Sequence, residues 1–480
     1  MAVRAQRTRP GVWQVEPHGG MRVPARIYAS DTLMEQIRGD ESLQQACNVA
    51  HLPGIVGASL AMPDMHEGYG FPIGGVAAFS LDEGVVSPGG VGYDINCGVR
   101  LMRTDVRAAE LGERLGQLVH QLQRDIPAGV GCEGAIKKLS NKDLDEVLRR
   151  GAAWPVKQGW GEPEDLLTTE AMGCLPGADP SAVSRRARER GAPQLGTLGS
   201  GNHFAELQVV EEIHDRTAAD AFGLTEGLVT VLLHSGSRGL GYQVCDDALA
   251  TMAKAAARHG IELPDRQLVS VPITSPEGAR YLAAMRAAAN FAWANRQVMM
   301  ALVERGFLRV LGGTRRSLGF RLVYDVAHNI AKVEEHLVGS DVKRILVHRK
   351  GATRAFPAGH PEVPDAYRQV GQPVLIPGDM GRASFVCVGT ERAMEETFAS
   401  AAHGAGRTLS RTAARKAGAG RNIARELAAR GVVVAARSGK TLAEEMPEAY
   451  KDAAQVVTAL ELAGIARVVA RLRPLGVVKG

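Results

Sequence analysis

The glycine-rich stretch Ser87–Arg100 constrains the fold of this chain more than any other segment. Its sequence, SPGGVGYDINCGVR, contains one proline and four glycines, which exclude a regular helix and let the backbone approach a ligand closely. The apolar run that follows predicts a short strand over Val99–Met102. Asp94, Asn96 and Cys97 therefore stand on a tight loop, where a carboxylate and a thiolate can bind one metal ion or the cysteine can simply be buried.

The composition is ordinary for a globular protein, with 45% hydrophobic and 23% charged residues. The length of 480 residues alone favours two or three domains, and the 56 glycines indicate many loops. The net charge of +5 is small for this size, so it permits an anionic partner without requiring one.

Cysteine usage and hydropathy favour a cytoplasmic protein that does not enter a membrane. The six cysteines form no C-x-x-C pair, so we expect free thiols in a reducing compartment. The first residues lack the apolar core of a signal peptide, and no window of 18 uncharged apolar residues occurs.

Helical periodicity marks several segments outside the glycine-rich stretches. Residues 30–50 predict one helix that is capped by Ser30 or Asp31, and residues 242–259 and 276–305 predict two longer helices.

A different helical pattern, rich in charges, occupies residues 108–191 and predicts a helical insertion that covers the core. Its basic run SRRARERG, Ser184–Gly191, indicates either a solvated helix face or a contact with a polyanion.

The segment LGTLGSGNHFAELQVV combines a glycine loop with a strand. Strand alternation places Asn202, Phe204 and Glu206 on one face and His203 on the other. The backbone N–H groups of the loop could hold phosphate, since three glycines form a nest-like approach: Gly196, Gly199 and Gly201.

Three other histidines border apolar runs or small-residue loops. His234 ends a predicted strand and precedes SGSRGLG, an anion-binding loop in which Arg238 can contact phosphate. His328 follows the apolar run LVYDVA. His403 begins HGAGR, whose small residues let a bulky ligand reach the imidazole and whose Arg407 can pair with phosphate.

Three further polar segments could line or support a site. Asp64, His66 and Glu67 lie in a predicted glycine-rich loop. The segment HRKGATRAFPAG predicts a loop that forms an RNA or phosphate lip through four cationic groups: His348, Arg349, Lys350 and Arg354. Three polar residues at helical spacing either face the site or satisfy internal polar groups: Asn290, Asn295 and Arg296.

Taken together, the ligand-type residues predict two metal ions that share the Cys97 thiolate. Asp94 and His203 would bind one ion, and His234 and His328 would bind the other. Two divalent cations with these ligands leave a positive centre that suits a triphosphate. The ligand types alone favour zinc.

Five segments resemble motifs of the RtcB family of RNA-splicing ligases: GYDINCGVR, GSGNHFAE, HSGSRGLG, AHN and HGAGR. The resemblance extends over residues 20–480. It implies a mixed α/β (α+β) fold in a single catalytic domain, residues 1–480, with central sheets, surrounding helices and the insertion 108–191. That expectation replaces the domain number suggested by length.

The resemblance implies a ligase that depends on GTP and on two Mn²⁺ ions per active site. It would join RNA 3′-phosphate or 2′,3′-cyclic phosphate ends to 5′-hydroxyl ends, in tRNA splicing or RNA repair. His403 would carry GMP as a covalent intermediate. RNA is the expected partner, an archease-type activator is a candidate partner, and a monomer is expected.

The resemblance also implies the residues that surround the guanylate, with Glu206 and Lys479 selecting guanine through its donors and acceptor. Asp64 would support the site from behind. The residues implied around GTP are Asn202, His203, Phe204, Ala205, Glu206, His328, Asn329, Pro377, Gly378, Asp379, Met380, Ser384, His403, Gly404, Ala405, Gly406 and Lys479.

Two other classes of protein remain compatible with parts of the pattern. A metal-dependent phosphoesterase or nuclease would use the same two-metal centre without a covalent role for His403. A non-enzymatic RNA-binding protein or chaperone would need an aromatic and basic surface, whereas aromatic residues make up only 5% of this chain.

Overall fold

A computed structural model of the chain describes residues 3–480. Its α-helices are α1 (Asp31–Ile37), α2 (Ser42–Val49), α3 (Arg114–Asp125), α4 (Asn141–Arg150), α5 (Ala153–Lys157), α6 (Glu164–Leu167), α7 (Arg185–Gly191), α8 (Arg216–Phe222), α9 (Arg238–Ala256), α10 (Pro276–Leu311), α11 (Glu391–Glu396), α12 (Arg411–Ala417), α13 (Ile423–Ala429), α14 (Gly439–Glu444) and α15 (Ala453–Ala463). Its strands are β1 (Gln6–Arg9), β2 (Val12–Val15), β3 (Ala25–Tyr28), β4 (Ile55–His66), β5 (Ile73–Ser80), β6 (Val85–Val86), β7 (Gly98–Arg107), β8 (Phe204–Ile213), β9 (Leu228–Ser235), β10 (Val271–Pro272), β11 (Arg321–Ala327), β12 (Asn329–Val338), β13 (Asp341–Lys350), β14 (Ala352–Arg354), β15 (Pro373–Ile376), β16 (Ser384–Gly389), β17 (Ser400–Ala402), β18 (Val433–Ala436) and β19 (Ala466–Lys479).

Two large sheets organise the molecule and confirm the predicted mixed α/β class. The seven-stranded sheet has the order β1-β2-β3-β4-β5-β13-β12 and is antiparallel except for the parallel pair β3–β4. The eight-stranded sheet has the antiparallel order β11-β7-β9-β8-β19-β16-β15, and β18 pairs in parallel with β19. Two short pairs, β10-β6 and β14-β17, complete the strands.

The helix α10 forms the centre of the largest hydrophobic cluster. It begins where the Ser275 hydroxyl accepts a hydrogen bond from the N–H of Gly278 at 3.1 Å, and Pro276 occupies its first turn. Its many alanines let α3, α4 and α9 pack closely against it, and Trp293 is fully buried among them. The helix predicted over residues 276–305 is confirmed and continues to Leu311.

The helix predicted over residues 30–50 is two helices, α1 and α2. Ser30 caps α1 as expected, since its hydroxyl accepts a hydrogen bond from the N–H of Leu33. The chain then turns around Gly39, and the N–H of Ser42 donates to the Asp40 carboxylate to begin α2. A break of this kind follows from the low helix propensity of glycine.

Residues 108–191 contain the helices α3–α7 and no strand, as their periodicity predicts. Whether this segment is an insertion into a smaller domain stays a prediction. Among residues 3–480, no helix is both long enough and apolar enough to cross a membrane.

The predicted cationic loop at residues 348–354 is wrong. His348, Arg349 and Lys350 lie on β13 and Arg354 on β14, and all four side chains are buried. The two buried arginines are paired with glutamates, as a buried charge requires, whereas the Lys350 ammonium donates to the carbonyl oxygens of Tyr69 and Phe71. Arg349 forms a bidentate ion pair with Glu334 at 2.6 and 2.8 Å.

A buried ion network connects α10 to two neighbouring strands of the eight-stranded sheet, β7 and β11. The Asp325 carboxylate on β11 accepts hydrogen bonds from Arg296 at 2.7 Å and from Arg100 at 2.7 Å, and all three side chains have no exposed surface. Burial alone would raise the pKa of Asp325, but the two guanidinium groups lower it below its usual value. The remaining Nη1 of Arg296 donates to the carbonyl oxygens of Asn96 and Ser235 at 2.7 and 2.8 Å.

We expect Arg296→Met to lower the free energy of unfolding by about 3–5 kcal/mol, because it leaves a buried carboxylate under-compensated and two carbonyls unpaired. Denaturant unfolding measures this change. Arg185→Met is the control, since Arg185 forms an ion pair with Glu189 in an exposed position and its loss should leave stability unchanged within error. If both variants unfold alike, the network does not stabilise the fold.

Candidate functional site

The antiparallel order of the eight-stranded sheet brings four chain segments to one edge. The strands β7 and β8 begin at this edge, whereas β9 and β11 end there, because neighbouring strands run in opposite directions. In the resulting register, Gly98 pairs with Ser235 and Ala327, and Phe204 pairs with His234. Polar residues at these strand ends therefore become neighbours although they are far apart in the sequence.

The structure brings the five predicted metal ligands together at this edge in two groups that share Cys97. One group contains Asp94, Cys97 and His203, and the other contains Cys97, His234 and His328; either group could hold a metal ion. The Cys97 Sγ lies 3.3 Å from the Nε2 atoms of both His203 and His234. The Nε2 atoms of His234 and His328 are also 3.3 Å apart.

Lone pairs face one another in this cluster, which is the arrangement that a cation requires. The Nδ1 of His203 lies 2.9 Å from the Leu198 carbonyl, an acceptor, so Nδ1 carries the proton in the neutral ring. The Nε2 lone pair then points at Asp94 Oδ2, which is 2.9 Å away. In that tautomer the two lone pairs repel, and either a proton on Nε2 or a metal ion between the two groups would remove the repulsion, so the donor set fits metal binding.

Burial favours the neutral forms of three of these groups, His234, His328 and Cys97, in the absence of a cation. It lowers the pKa of His234 and of His328 well below the usual value. Burial and the adjacent Asp94 carboxylate raise the pKa of the Cys97 thiol well above its usual value. The imidazoles are therefore ready to bind a metal, whereas the thiol must lose its proton when a cation binds.

The loop that carries Asp94 and Cys97 is held in an unusual backbone conformation. Asn96 has φ of 51°, in the left-handed region, and its side chain is fixed by Arg296 at 2.9 Å and by the Ala289 carbonyl at 2.7 Å. Gly98 has no room for a side chain, because a Cβ would collide with the Val326 carbonyl. Arg296 thus satisfies internal polar groups and does not face the cavity, which decides between its two predicted roles.

Asn295 supports the loop before His203. Its side-chain oxygen accepts the N–H groups of Gly196 and Thr197 at 2.7 and 3.0 Å, and its amide donates to the Gly236 carbonyl at 3.2 Å. The N–H of Gly196 is therefore already hydrogen-bonded to Asn295. The prediction that this N–H holds phosphate is wrong.

His403 follows β17 and faces the metal cluster. Its ring centroid lies 4.7 Å from that of His328. Asp64 stands behind it: Oδ2 accepts the backbone N–H groups of His403 and Gly404 at 3.0 and 3.3 Å and lies 2.6 Å from the His403 Nδ1. The angle of this last contact is not that of a good hydrogen bond, so Nδ1 remains formally unsatisfied.

A cavity of about 410 Å³ opens beside His403 and the metal cluster, a size that suits a nucleotide. Most of the residues predicted around GTP line it: Asn202, Phe204, Glu206, His328, Asn329, Pro377, Gly378, Asp379, Met380, His403, Gly404, Ala405, Gly406 and Lys479. Asp94, Cys97, His234 and His66 also line it. Glu67 is exposed and does not line it.

Three predicted residues lie outside this lining. His203 points away from it, as strand alternation predicts, and Ala205 packs in the core. Ser384 lies beneath the cavity, where its hydroxyl accepts hydrogen bonds from the Gly378 N–H and from Gln208, each at 3.0 Å. Ser384 can therefore act on a ligand only by positioning other residues.

Two buried ionisable side chains, Glu206 and Lys479, line the same cavity. Glu206 is 3% exposed, and burial, with the nearby Asp379 carboxylate, raises its pKa to about 8 although Gln208 and Lys479 oppose this. The Lys479 ammonium is equally buried and donates to the Gly201 carbonyl at 2.8 Å. Burial lowers the pKa of Lys479, and Glu445 at 3.5 Å opposes that effect.

Glu445 and Tyr450 were not identified from the sequence, although both line the cavity. Arg407 donates to Glu445 at 3.2 Å, to the Tyr450 hydroxyl at 2.9 Å and to the Glu444 carbonyl at 2.8 Å. Its guanidinium therefore holds this wall of the cavity, and because Arg407 itself lines the cavity, its predicted pairing with phosphate stays a prediction. Only the spacing of charges in TLAEEMPEAY hints at this network.

A second cavity, of about 770 Å³, adjoins the first, since Tyr93, Asp94 and Asn202 line both. Arg186, Arg190 and Arg238 line it together with Tyr242, which is stacked against the ring of Tyr93 at 4.8 Å. Arg238 has no carboxylate within 4.0 Å in residues 3–480, so its predicted contact with phosphate remains open. The basic run that contains Arg186 thus contributes to this cavity as well as to the surface.

The fold and the site define a mixed α/β protein whose ligand groups could hold metal ions beside a deep cavity. The family model described as tRNA-splicing ligase RtcB matches residues 45–480. The proteins named tRNA-splicing ligase RtcB from Thermococcus kodakarensis and Archaeoglobus fulgidus are 55% and 54% identical, over 96% of this chain and 95% of each relative. The Nanoarchaeum equitans protein of the same name is 49% identical over all of both chains. This chain therefore belongs to the RtcB family of tRNA-splicing ligases.

We expect Cys97→Ala to reduce the bound metal from two ions to fewer than one per chain, because both groups of ligands lose the same sulfur. His328→Ala should leave the Asp94 group intact and retain about one ion. Elemental analysis after dialysis against Mn²⁺ measures both. If Cys97→Ala still retains two ions, the sulfur is not shared between them.

Proposed function

We propose that the protein is a GTP- and Mn²⁺-dependent RNA ligase that joins 3′-phosphate or 2′,3′-cyclic phosphate ends to 5′-hydroxyl ends. The observation that carries this proposal is the position of His403, which faces both the metal cluster and a nucleotide-sized cavity. The family of the chain supports the same activity. Cleaved tRNA is a suitable substrate, while the cytoplasmic location, the monomeric state and the archease-type activator stay predictions.

The proposed metal ligands are Asp94, Cys97, His203, His234 and His328, with Cys97 shared. When bound, the two ions would supply positive charge for the phosphates at the reacting centre. Mixed oxygen, nitrogen and sulfur ligation tolerates manganese as well as zinc. Burial keeps the imidazoles of His234 and His328 neutral, so each can offer its Nε2 lone pair.

Glu206 and Lys479 are the proposed guanine-selecting pair. A carboxylate accepts from both N1–H and the 2-amino group of guanine, and an ammonium donates to O6. Adenine presents the opposite pattern at this edge, which would leave two buried charges unpaired. Phe204 lies between the two groups and the cluster, with the Lys479 ammonium 5.7 Å from its ring centroid.

His403 is the proposed nucleophile. Its Nε2 would attack the α-phosphorus of GTP, forming an N–P bond as the bond to the pyrophosphate leaving group breaks. Asp64 would hold the ring by its Nδ1, keep the lone pair on Nε2 and stabilise the positive imidazole that forms. The Asp64 carboxylate is held in place by the two hydrogen bonds that it accepts from backbone N–H groups.

The proposed later steps use the second cavity. An oxygen of the RNA 3′-phosphate takes GMP from His403, and the 5′-hydroxyl then attacks the 3′-phosphorus as GMP leaves. Attacking and leaving oxygens lie roughly in line during phosphoryl transfer. Since GMP would occupy the first cavity, the 5′-hydroxyl strand would enter from the second, which shares Tyr93, Asp94 and Asn202 with the first.

A metal-dependent phosphoesterase is the competing function, since it would use the same ligands. The contact between Asp64 and His403 favours the ligase, because hydrolysis by two metals needs no oriented imidazole nucleophile. Incubation with GTP labelled at the α-phosphate separates the two functions. The ligase retains label on the protein, whereas the phosphoesterase releases product without labelling.

We expect His403→Ala to bind the same amount of Mn²⁺ as the wild type and to form no protein–GMP adduct. Intact-protein mass spectrometry after incubation with GTP and Mn²⁺ measures the adduct. His120→Ala, at an exposed position on α3, is the control and should form the adduct normally. A GMP adduct on the His403→Ala variant would show that another residue is the nucleophile.

We expect guanosine to bind more tightly as the pH rises toward 8. Glu206 must be ionised to accept both guanine donors, and its pKa in the free cavity is about 8. Below that pH each unit lowers the ionised fraction, and hence the association constant, by about tenfold. Calorimetry with guanosine between pH 6 and 8.5 tests this dependence. Guanosine carries no phosphate, so no phosphate group of the ligand titrates in this range.

Glu206→Gln should bind guanosine weakly and without this dependence, whereas Glu335→Gln, at an exposed position on β12, should behave as the wild type. The folded state also holds the Glu206 proton more tightly than the unfolded state. Stability of the free protein should therefore fall between about pH 4.5 and 8 in the wild type by more than in Glu206→Gln. Equal guanosine affinity at pH 6 and 8.5 would contradict the assignment.

A further inference from the structure

The positive charge of the chain is concentrated in one segment. Residues 407–440, which we call the basic lobe, contain nine lysines and arginines and one acidic residue, Glu426. The net charge of the whole chain is only +5, so the rest of the chain is slightly acidic. The lobe contains no phenylalanine, tyrosine or tryptophan. Its composition therefore offers positive charge without any aromatic ring on which a base could stack.

The fold fixes the basic lobe at the rim of the site. The lobe comprises α12, α13, β18 and the start of α14, and β18 pairs in parallel with β19 so that Ala436 lies opposite Lys479. Arg411, the first residue of α12, lines the first cavity. It approaches the loop before His203 so closely that a side chain at Gly201, where φ is +73°, would collide with its guanidinium.

Most of the cations in the basic lobe are exposed and free of internal partners. Arg407, Arg415 and Arg421 form ion pairs with glutamates, and Arg411 lies 3.9 Å from Glu445. Within residues 3–480, the other five are solvent-exposed and have no carboxylate within 4.0 Å: Lys416, Arg425, Arg430, Arg437 and Lys440. Like charges at this density repel one another, so a polyanion that covers them would relieve that repulsion.

We infer that the basic lobe binds the phosphate backbone of the RNA substrate beyond the ends that are joined. Exposed cations without aromatic neighbours are suited to sequence-independent phosphate contacts and not to base recognition. Because β18 pairs with β19, this surface keeps a fixed position relative to the cavity. The inference rests on the proposed function, because it assigns the surface to the same RNA whose ends react at His403.

The test compares two triple variants that lose the same charge. One carries Arg425→Gln, Arg430→Gln and Lys440→Gln in the basic lobe, and none of these residues lines either cavity. The matched control carries Lys254→Gln, Lys343→Gln and Arg344→Gln, which are exposed and have no carboxylate within 4.0 Å in the part of the chain that the structure describes. Each purified protein is assayed for adduct formation with GTP and Mn²⁺ and for ligation of long RNAs and of oligonucleotides of a few nucleotides.

We expect the lobe variant to form the adduct and join short oligonucleotides as the wild type does, with a KM for long RNA raised roughly ten- to a hundredfold. The slope of log KM against log salt concentration should fall by about 2–3 for three lost phosphate contacts. The control should change neither quantity. Normal adduct formation also shows that the lobe variant is folded.

Three outcomes would overturn the inference. An unchanged KM for long RNA would mean that the lobe faces solvent or another partner, such as an acidic protein. An equal loss with short oligonucleotides would place the effect in the cavity, and an equal loss in the control would make it a general effect of net charge. Failure of the wild type itself to form an adduct would instead refute the proposed function.

Discussion

The buried Asp325 carboxylate is the group on which the geometry of the site depends. Two arginines from different elements, Arg100 on β7 and Arg296 on α10, converge on it with no access to water. Charges in such surroundings tolerate little displacement, because an unpaired buried ion costs several kcal/mol. Through its remaining N–H groups, Arg296 then fixes the carbonyls of Asn96 and Ser235. One salt-bridge network therefore sets both the ligand loop and the end of β9.

The rigidity of this network lets the side chains of the five candidate metal ligands lie close together. A thiol, a carboxylate and three imidazoles form two groups that share Cys97, and within each group the ligand atoms lie within 4.8 Å of one another. The fold sustains that arrangement because Leu198, Arg296 and Asn295 fix the surrounding backbone and ring orientations. A cation would find the ligands already placed, so little of its binding energy would be lost in ordering them.

Sequence patterns were informative where a chemical group follows an apolar run. The strands before His234 and His328 and after Cys97 were predicted from such runs, and antiparallel pairing then explains why these residues meet. Patterns failed where a charge is paired over a long sequence distance. Arg349 appeared to be a surface residue because Glu334 lies on the neighbouring strand, and Asp64 is 339 residues from the histidine whose backbone it holds. Local composition cannot reveal either partner.

His328 occupies the single residue between β11, an edge strand of the eight-stranded sheet, and β12, an edge strand of the seven-stranded sheet. Its backbone is tied on both sides, since its N–H donates to the Cys97 carbonyl at 2.8 Å and its carbonyl accepts from Ala352 at 3.1 Å. The junction between the two sheets therefore lies at the metal site, and an ion bound by His328 would restrain this junction directly.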